Sequence, residues 1–235
     1  NALDRHVLQG RGNQVVYFWE GNDVGEAKVV TYKQLLDDVC RLSNVLRSFG
    51  VKKGDCVALY LPMIVELPVA LLACARIGAV HSAVFAGFSA INLANRMLDS
   101  HCKVVITADG VFRGAKPIHL KDTVDEAIEI CAKSGLAVEK CLVYRRLGAD
   151  RLPIKWNPTV DVWWHDTVPH ASAECSVCWQ DSEDPLFMLY TSGSTGKPKG
   201  VIHTTAGYMV YAATTFKYVF DYHAGDVYFC TADTG

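Results

Sequence analysis

Two hydrophobic periods alternate along this chain, and the alternation limits its fold more than any other feature. Four short, nearly unbroken apolar runs begin at Cys56, Val80, Val104 and Cys141. Between them lie helical patterns. Val65–Ile77 is apolar on nearly every side, carries Pro68 in its first turn and stops at Gly78; a second helix runs from a Ser89 cap to Leu98; a third spans Asp122–Lys133 and stops at Gly135. Strands alternating with helices predict an α/β fold, a mainly parallel sheet with helices on both faces. Strands without a polar face fit burial on both sides. Ahead of this region, Val15–Glu20 and Val29-Val30 read as a hairpin. Thr31 then caps a helix in which Leu35, Val39, Leu42, Leu46 and Phe49 recur before Gly50. Further on, Asp161–Asp166 reads as the start of a short helix and Leu186–Tyr190 as a strand. Tyr208, Tyr211, Ala212, Thr215, Phe216 and Val219 form one helical face, and Asp226–Ala232 reads as a last strand.

Half of the 235 residues are hydrophobic, enough to bury the core of one large domain or two subdomains. A net charge of −2 gives no basic field for nucleic acid, and no stretch approaches the ~20 apolar residues of a membrane span. Nine scattered cysteines, an odd number, fit a reduced compartment and a cytoplasmic location. Cys175-Ser-Val-Cys178 lacks the second pair of a zinc site and the setting of a redox pair, so its spacing reads as coincidence. Trp163 and Trp164, with no interleaved basic residues, read as packing anchors.

The chemistry gathers in loops. Thr191-Ser192-Gly193-Ser194-Thr195-Gly196-Lys197-Pro198-Lys199-Gly200 follows the apolar run ending at Tyr190. Its glycines let the main chain approach an anion, its hydroxyls and N–H groups donate, and its lysines add charge, so a polyphosphate is the natural guest. A Walker loop is excluded, because Thr191 stands where the first glycine should be and Pro198 where Ser or Thr should follow the lysine. Pro198 should also stop the loop from winding directly into a helix. The plainer alternative is a flexible surface turn. A second loop, Phe85-Ala86-Gly87-Phe88-Ser89, offers a ring face and an open backbone. In a third, Arg113 and Lys116 straddle Gly114-Ala115, cations spaced to hold a phosphate or simply to face solvent. In open parallel sheets ligands gather where the strands end in such loops.

The glycine loop resembles the phosphate-loop signature of the adenylate-forming acyl-CoA synthetase superfamily. Together with Val84–Ser89, Arg113–Lys116, Asp184–Tyr190, Val201–Thr204, Ala212–Tyr218 and Thr231–Asp233, it makes the whole chain similar to acetyl-CoA synthetases, the eukaryotic cytosolic type above all. The resemblance implies an AMP-forming acetate–CoA ligase: ATP with Mg²⁺ activates acetate to acetyl-AMP, releasing pyrophosphate, and CoA takes the acetyl group. It places Thr191, Ser192, Gly193, Ser194, Thr195, Gly196, Lys197 and Lys199 on the ATP phosphates, with Lys199 alternatively structural or gating. It places Arg113, Gly114, Ala115 and Lys116 on the CoA phosphates and Phe85, Gly87 and Ile118 against its adenosine. Lys116 stands where many bacterial members have Arg, keeping the charge without the fork. Residues 1–180 correspond to the first α/β subdomain of the AMP-binding domain and 181–235 to the start of the second, with the lid domain absent. The family's acyl pocket and catalytic lysine fall beyond Gly235, so a fragment, inactive alone and prone to aggregate through unpaired strand edges, is expected. A propionyl- or other short-chain acyl-CoA synthetase, and a truncated nucleotide- or CoA-binding module, are the alternatives.

Overall fold

The computed structural model describes residues 1–191 and 198–234. A short helix α1 (Asp4–His6) leads to an antiparallel hairpin of β1 (Val15–Glu20) and β2 (Ala27–Thr31), followed by helix α2 (Tyr32–Ser48). Thr31 starts α2 with a reciprocal cap: Gln34 N–H donates to Thr31 Oγ1 at 3.3 Å, and Thr31 N–H donates to Gln34 Oε1 at 2.9 Å. Such a cap satisfies two orphan donors and contributes about 1 kcal/mol.

The alternating region then builds the sheet: β3 (Cys56–Tyr60), α3 (Glu66–Ile77), β4 (Val80–Ala83), α4 (Ala90–Asp99), β5 (Val104–Ala108), a small hairpin of β6 (Val111–Arg113) and β7 (Lys116–Ile118), α5 (Leu120–Lys133) and β8 (Lys140–Tyr144). The chain continues through β9 (Asp161–Trp163), α6 (Trp164–Thr167), β10 (Pro185–Thr191), β11 (Lys199–Thr204) and α7 (Thr205–Tyr218). Seven strands form one sheet in the order β11-β10-β4-β3-β5-β8-β9. Every neighbouring pair is parallel except β10–β11. All five residues of β5 are buried, so both faces of the sheet are covered there, as its unbroken apolar sequence requires.

Four sequence expectations change. Asp226–Ala232 is not a strand; its residues are exposed and pair with no strand among the described residues, and a strand without a ladder partner has nothing to fix it. Asp161–Trp163 is the parallel edge strand β9, and the helix begins only at Trp164. Its register places Asp161 opposite Cys141, where the buried Asp161 carboxylate meets Lys121 Nζ at 2.9 Å. Residues 109–118 form a hairpin rather than an open loop, because Val111, Phe112 and Arg113 pair with Ile118, Pro117 and Lys116. Strand β10 is also less covered than a buried strand: only Phe187 is fully buried, and the β11 side faces solvent.

The polar stretch before β10 is tied down rather than loose. Asn44 Nδ2 donates to the carbonyls of Ser172 and Glu174 (2.9 Å each), Arg76 Nε donates to that of Cys175 (2.9 Å), and Arg47 donates to Cys175 Sγ (3.2 Å). Residues 171–178 are thus a strap laid over α2 and α3. Of the tryptophan pair, Trp164 is buried as an anchor. Trp163 instead stacks on Trp156, with centroids 4.4 Å apart, and lies under Arg145, 4.5 Å from its ring.

Candidate nucleotide-binding site

Parallel strands present their carboxyl ends together, so the loops after β4, β5 and β10 emerge at one edge of the sheet. Two of them enclose a cavity of about 560 Å³ lined by Gly87, Arg113, Lys116, Ile118 and the first two turns of α5. Sequence reasoning had singled out four of those residues from two separate stretches. Phe85 joins them indirectly, since the Arg113 guanidinium lies 5.2 Å from its ring centroid. Gly114 and Ala115 form the exposed turn of the β6–β7 hairpin, outside the lining of the cavity.

Gly87 has φ +149°, a conformation that residues with a Cβ rarely adopt. A Cβ there would stand 3.1 Å from Phe85 Cε1 and 3.3 Å from an Arg113 terminal nitrogen. The glycine therefore leaves room for the ring–guanidinium stack that walls the cavity. Tyr60, fully buried at the end of β3, fixes the backbone of the same loop. Its hydroxyl accepts the Gly87 N–H at 3.1 Å and donates to the Phe88 carbonyl at 2.7 Å, and burial raises its pKa.

Asp109 holds the other wall. One buried carboxylate accepts backbone N–H groups from Gly110 (2.8 Å), Arg146 (2.8 Å), Leu147 (3.0 Å) and Gly148 (2.8 Å). It locks the root of the hairpin to the segment after β8. That segment is tied to the N-terminal hairpin by Arg146, which donates to Glu26 at 2.7 Å and covers the Trp19 ring at 5.4 Å. The hydrogen bond from Arg146 holds the Glu26 carboxyl below its ordinary range.

The α5 wall carries both signs. His119, Asp122, Thr123 and Glu126 share one helical face, and His119 Nδ1 lies 3.4 Å from Asp122 Oδ2. Below them Lys121, fully buried, binds Asp125 (2.5 Å) and Asp161 (2.9 Å). Burial works against its charge, and the two carboxylate hydrogen bonds outweigh that to raise its pKa. Electrostatically, then, the cavity offers Arg113 and Lys116 to a phosphate and carboxylate and hydroxyl acceptors to an amine or sugar hydroxyl.

Sequence reasoning missed Tyr60, Asp109 and the α5 face. Tyr60 closes an apolar strand and reads as core; Asp109 precedes a glycine and reads as turn chemistry. The α5 face is visible in hindsight from its polar residues three and four apart.

Strand β10 delivers the glycine loop. Thr191, its last residue, pairs with Lys199, the first of β11, so the loop leaves and rejoins the sheet at a single hairpin rung. After Pro198 the chain does not enter a helix directly, in keeping with the proline, but resumes as strand β11, which the sequence pattern did not mark. Ser192, Gly193, Ser194, Thr195, Gly196 and Lys197 lie outside the described residues; Thr191 and Lys199 are both exposed.

The family model described as AMP-binding enzyme matches residues 3–235. The chain is 55 % identical over its full length to an acetyl-coenzyme A synthetase of Drosophila melanogaster, covering 36 % of that protein, and 57 % identical to one of Yersinia pestis, covering 35 %. Among solved structures, an acetoacetyl-CoA synthetase from Streptomyces lividans superposes with a TM-score of 0.82 at 28 % identity, over 94 % of this chain and 32 % of that one. The chain spans about a third of the length of the curated relatives it matches.

Proposed function

The chain belongs to the AMP-binding enzyme family, and on that premise we propose that it carries the CoA-nucleotide and ATP-phosphate loops of an AMP-forming acetate–CoA ligase. The observation that carries this reading is convergence: Gly87, Arg113, Lys116 and Ile118, from separate loops, line one cavity at the sheet edge that also bears the glycine-loop hairpin.

In the first half-reaction acetate attacks the α-phosphate of ATP and pyrophosphate leaves. Thr191 and Lys199 bracket the loop whose hydroxyls, N–H groups and Lys197 stabilise the leaving charge. In the second the CoA thiol takes the acetyl group and AMP leaves. Arg113 grips a nucleotide phosphate with its fork, Lys116 adds a point charge, and Phe85, Gly87 and Ile118 take the adenosine. Gly114 and Ala115 let the phosphate approach the hairpin turn. Among the described residues no group of three or more His, Cys, Asp or Glu side chains is placed to hold a metal ion, so Mg²⁺ is assigned only as the ion accompanying ATP.

Residues 1–180 are proposed as the first subdomain and 181–235 as the start of the second. The location is proposed as cytoplasmic; no helix among the described residues is long and apolar enough to cross a membrane.

The test is pyrophosphate exchange by the full-length protein, with acetate and propionate in parallel. Exchange that depends on acetate, is lost in Lys197→Ala and is nearly untouched in Arg113→Ala supports the reading; Arg113→Ala should raise the CoA requirement instead. Equal rates with propionate would move the substrate to short acyl groups generally. Exchange left intact in Lys197→Ala would remove the glycine loop from the ATP site.

A further inference from the structure

Helix α4 connects the two candidate ligand loops. Its first residue follows Ser89, at the end of the Phe85–Ser89 loop, and its last turn lies against Tyr190, one residue before the glycine loop begins. Between them stands Arg96, a cation only 7 % exposed. Its guanidinium lies 5.0 Å from the Phe88 ring centroid and 5.2 Å from the Tyr190 ring centroid. Among the described residues no carboxylate pairs with it, and its hydrogen bond is NH1 to the Asn92 carbonyl at 2.7 Å. Burial lowers its pKa.

A buried cation without an acid partner must be held by something else, and here the Asn92 carbonyl and two aromatic faces hold it. The Tyr190 end is latched a second time: the Tyr190 hydroxyl donates to Asp99 Oδ2 at 2.7 Å, on the same helix. Phe88 is half of the edge-to-face pair with Phe85, whose ring supports Arg113. A continuous line of contacts therefore runs Arg113–Phe85–Phe88–Arg96–Tyr190, from the phosphate-gripping hairpin to the root of the glycine loop.

We infer that Arg96 is a positioning residue that makes these two loops one mechanical body, fixing the strand before the glycine loop against the loop after β4. The functional meaning rests on the proposed assignment of those loops to ATP and CoA; the mechanical claim does not. Truncating Arg96 should loosen both loops together, because each aromatic ring loses the partner it shares with the other.

Amide hydrogen exchange on the full-length protein reads this without any ligand. Arg96→Met, which keeps length and removes the cation, should speed exchange at least fivefold in both 85–89 and 188–191, with the α4 amides still protected. Arg96→Lys should recover part of the protection. Acceleration in only one segment overturns the coupling. If Arg96→Met does not melt cooperatively, Phe88→Leu and Tyr190→Leu decide instead. Each should speed exchange in the opposite segment, and a purely local response from both overturns the inference. Kinetics give the separate functional reading: Arg96→Met should lower pyrophosphate exchange and raise the CoA KM, each about tenfold. Coupled hydrogen exchange with neither kinetic effect would leave the mechanical role standing and count against the ATP and CoA assignments.

Discussion

A methyl group at Gly87 would meet Phe85 Cε1 at 3.1 Å on a backbone at φ +149°, so steric pressure and backbone strain act in one place. On the proposed assignment of this loop to CoA, Gly87→Val should weaken CoA binding at least tenfold by calorimetry, with a smaller loss in Tm. His81 gives a pH signature. Its ring stacks on Phe187 at 5.3 Å, its Nδ1 is buried without a partner among the described residues, and burial pulls its pKa down to about 4. In the unfolded chain an imidazole binds a proton near pH 6.5. The unfolded state thus holds more protons between those values, and stability falls as the pH drops from about 6.5 toward 4. The loss is up to roughly 3 kcal/mol. His81→Phe keeps the ring stack and removes the titration, so its urea midpoint should vary less over that window. Equal pH slopes in both proteins would show that His81 does not titrate as placed. The open backbone at Gly87 was legible in the sequence, but the His81 signature was not, since a histidine in an apolar run looks the same whether or not its ring finds a partner.

At the scale of elements, the hairpin β6–β7 depends on something far from it in sequence. Val111–Arg113 and Lys116–Ile118 make only a three-rung ribbon, marginal alone in water. The Asp109 carboxylate fixes its root by gathering N–H groups from the segment after β8. Asp109→Ala leaves those donors without an acceptor and should cost at least about 3 kcal/mol in urea unfolding. On the proposed assignment, CoA affinity should fall with it, since the hairpin carries Arg113 and Lys116. Asp109→Asn keeps one acceptor and should fall between. The sequence announced the cations but not the hairpin, because Arg113-Gly-Ala-Lys116 shows turn chemistry without the alternation that marks a strand. By contrast the Thr31 cap, the Gly50 and Gly78 stops and the apolar runs were readable, since local chemistry decides them. The edge strand β9 was misread because Asp161 looks polar until Lys121 is found beneath it.

Across the whole molecule, one side of the sheet is finished and the other is not covered to the same depth. Strand β11 exposes Val201 and Ile202 at the sheet edge, and α7 exposes Tyr208, Tyr211 and Phe216. Edges and apolar faces of this kind recruit other chains. Produced as these 235 residues alone, the protein should sediment as concentration-dependent oligomers. Val201→Lys with Ile202→Lys should shift it toward monomer; an unchanged distribution would place the association elsewhere. The sequence marked α7 as a helix correctly but did not mark Lys199–Thr204 as a strand. It could not show how little covers them, because burial depends on neighbours rather than on pattern. The strap of residues 171–178 carries a different consequence. It brings the chain back across α2 and α3 so that β10 can join β4, a strand made long before it. As the polypeptide leaves the ribosome, the residues that wall the cavity are made while the glycine loop is still unsynthesised. The cavity proposed for CoA is therefore made first, and the strand that leads to the loop proposed for ATP is laid against the sheet that holds it.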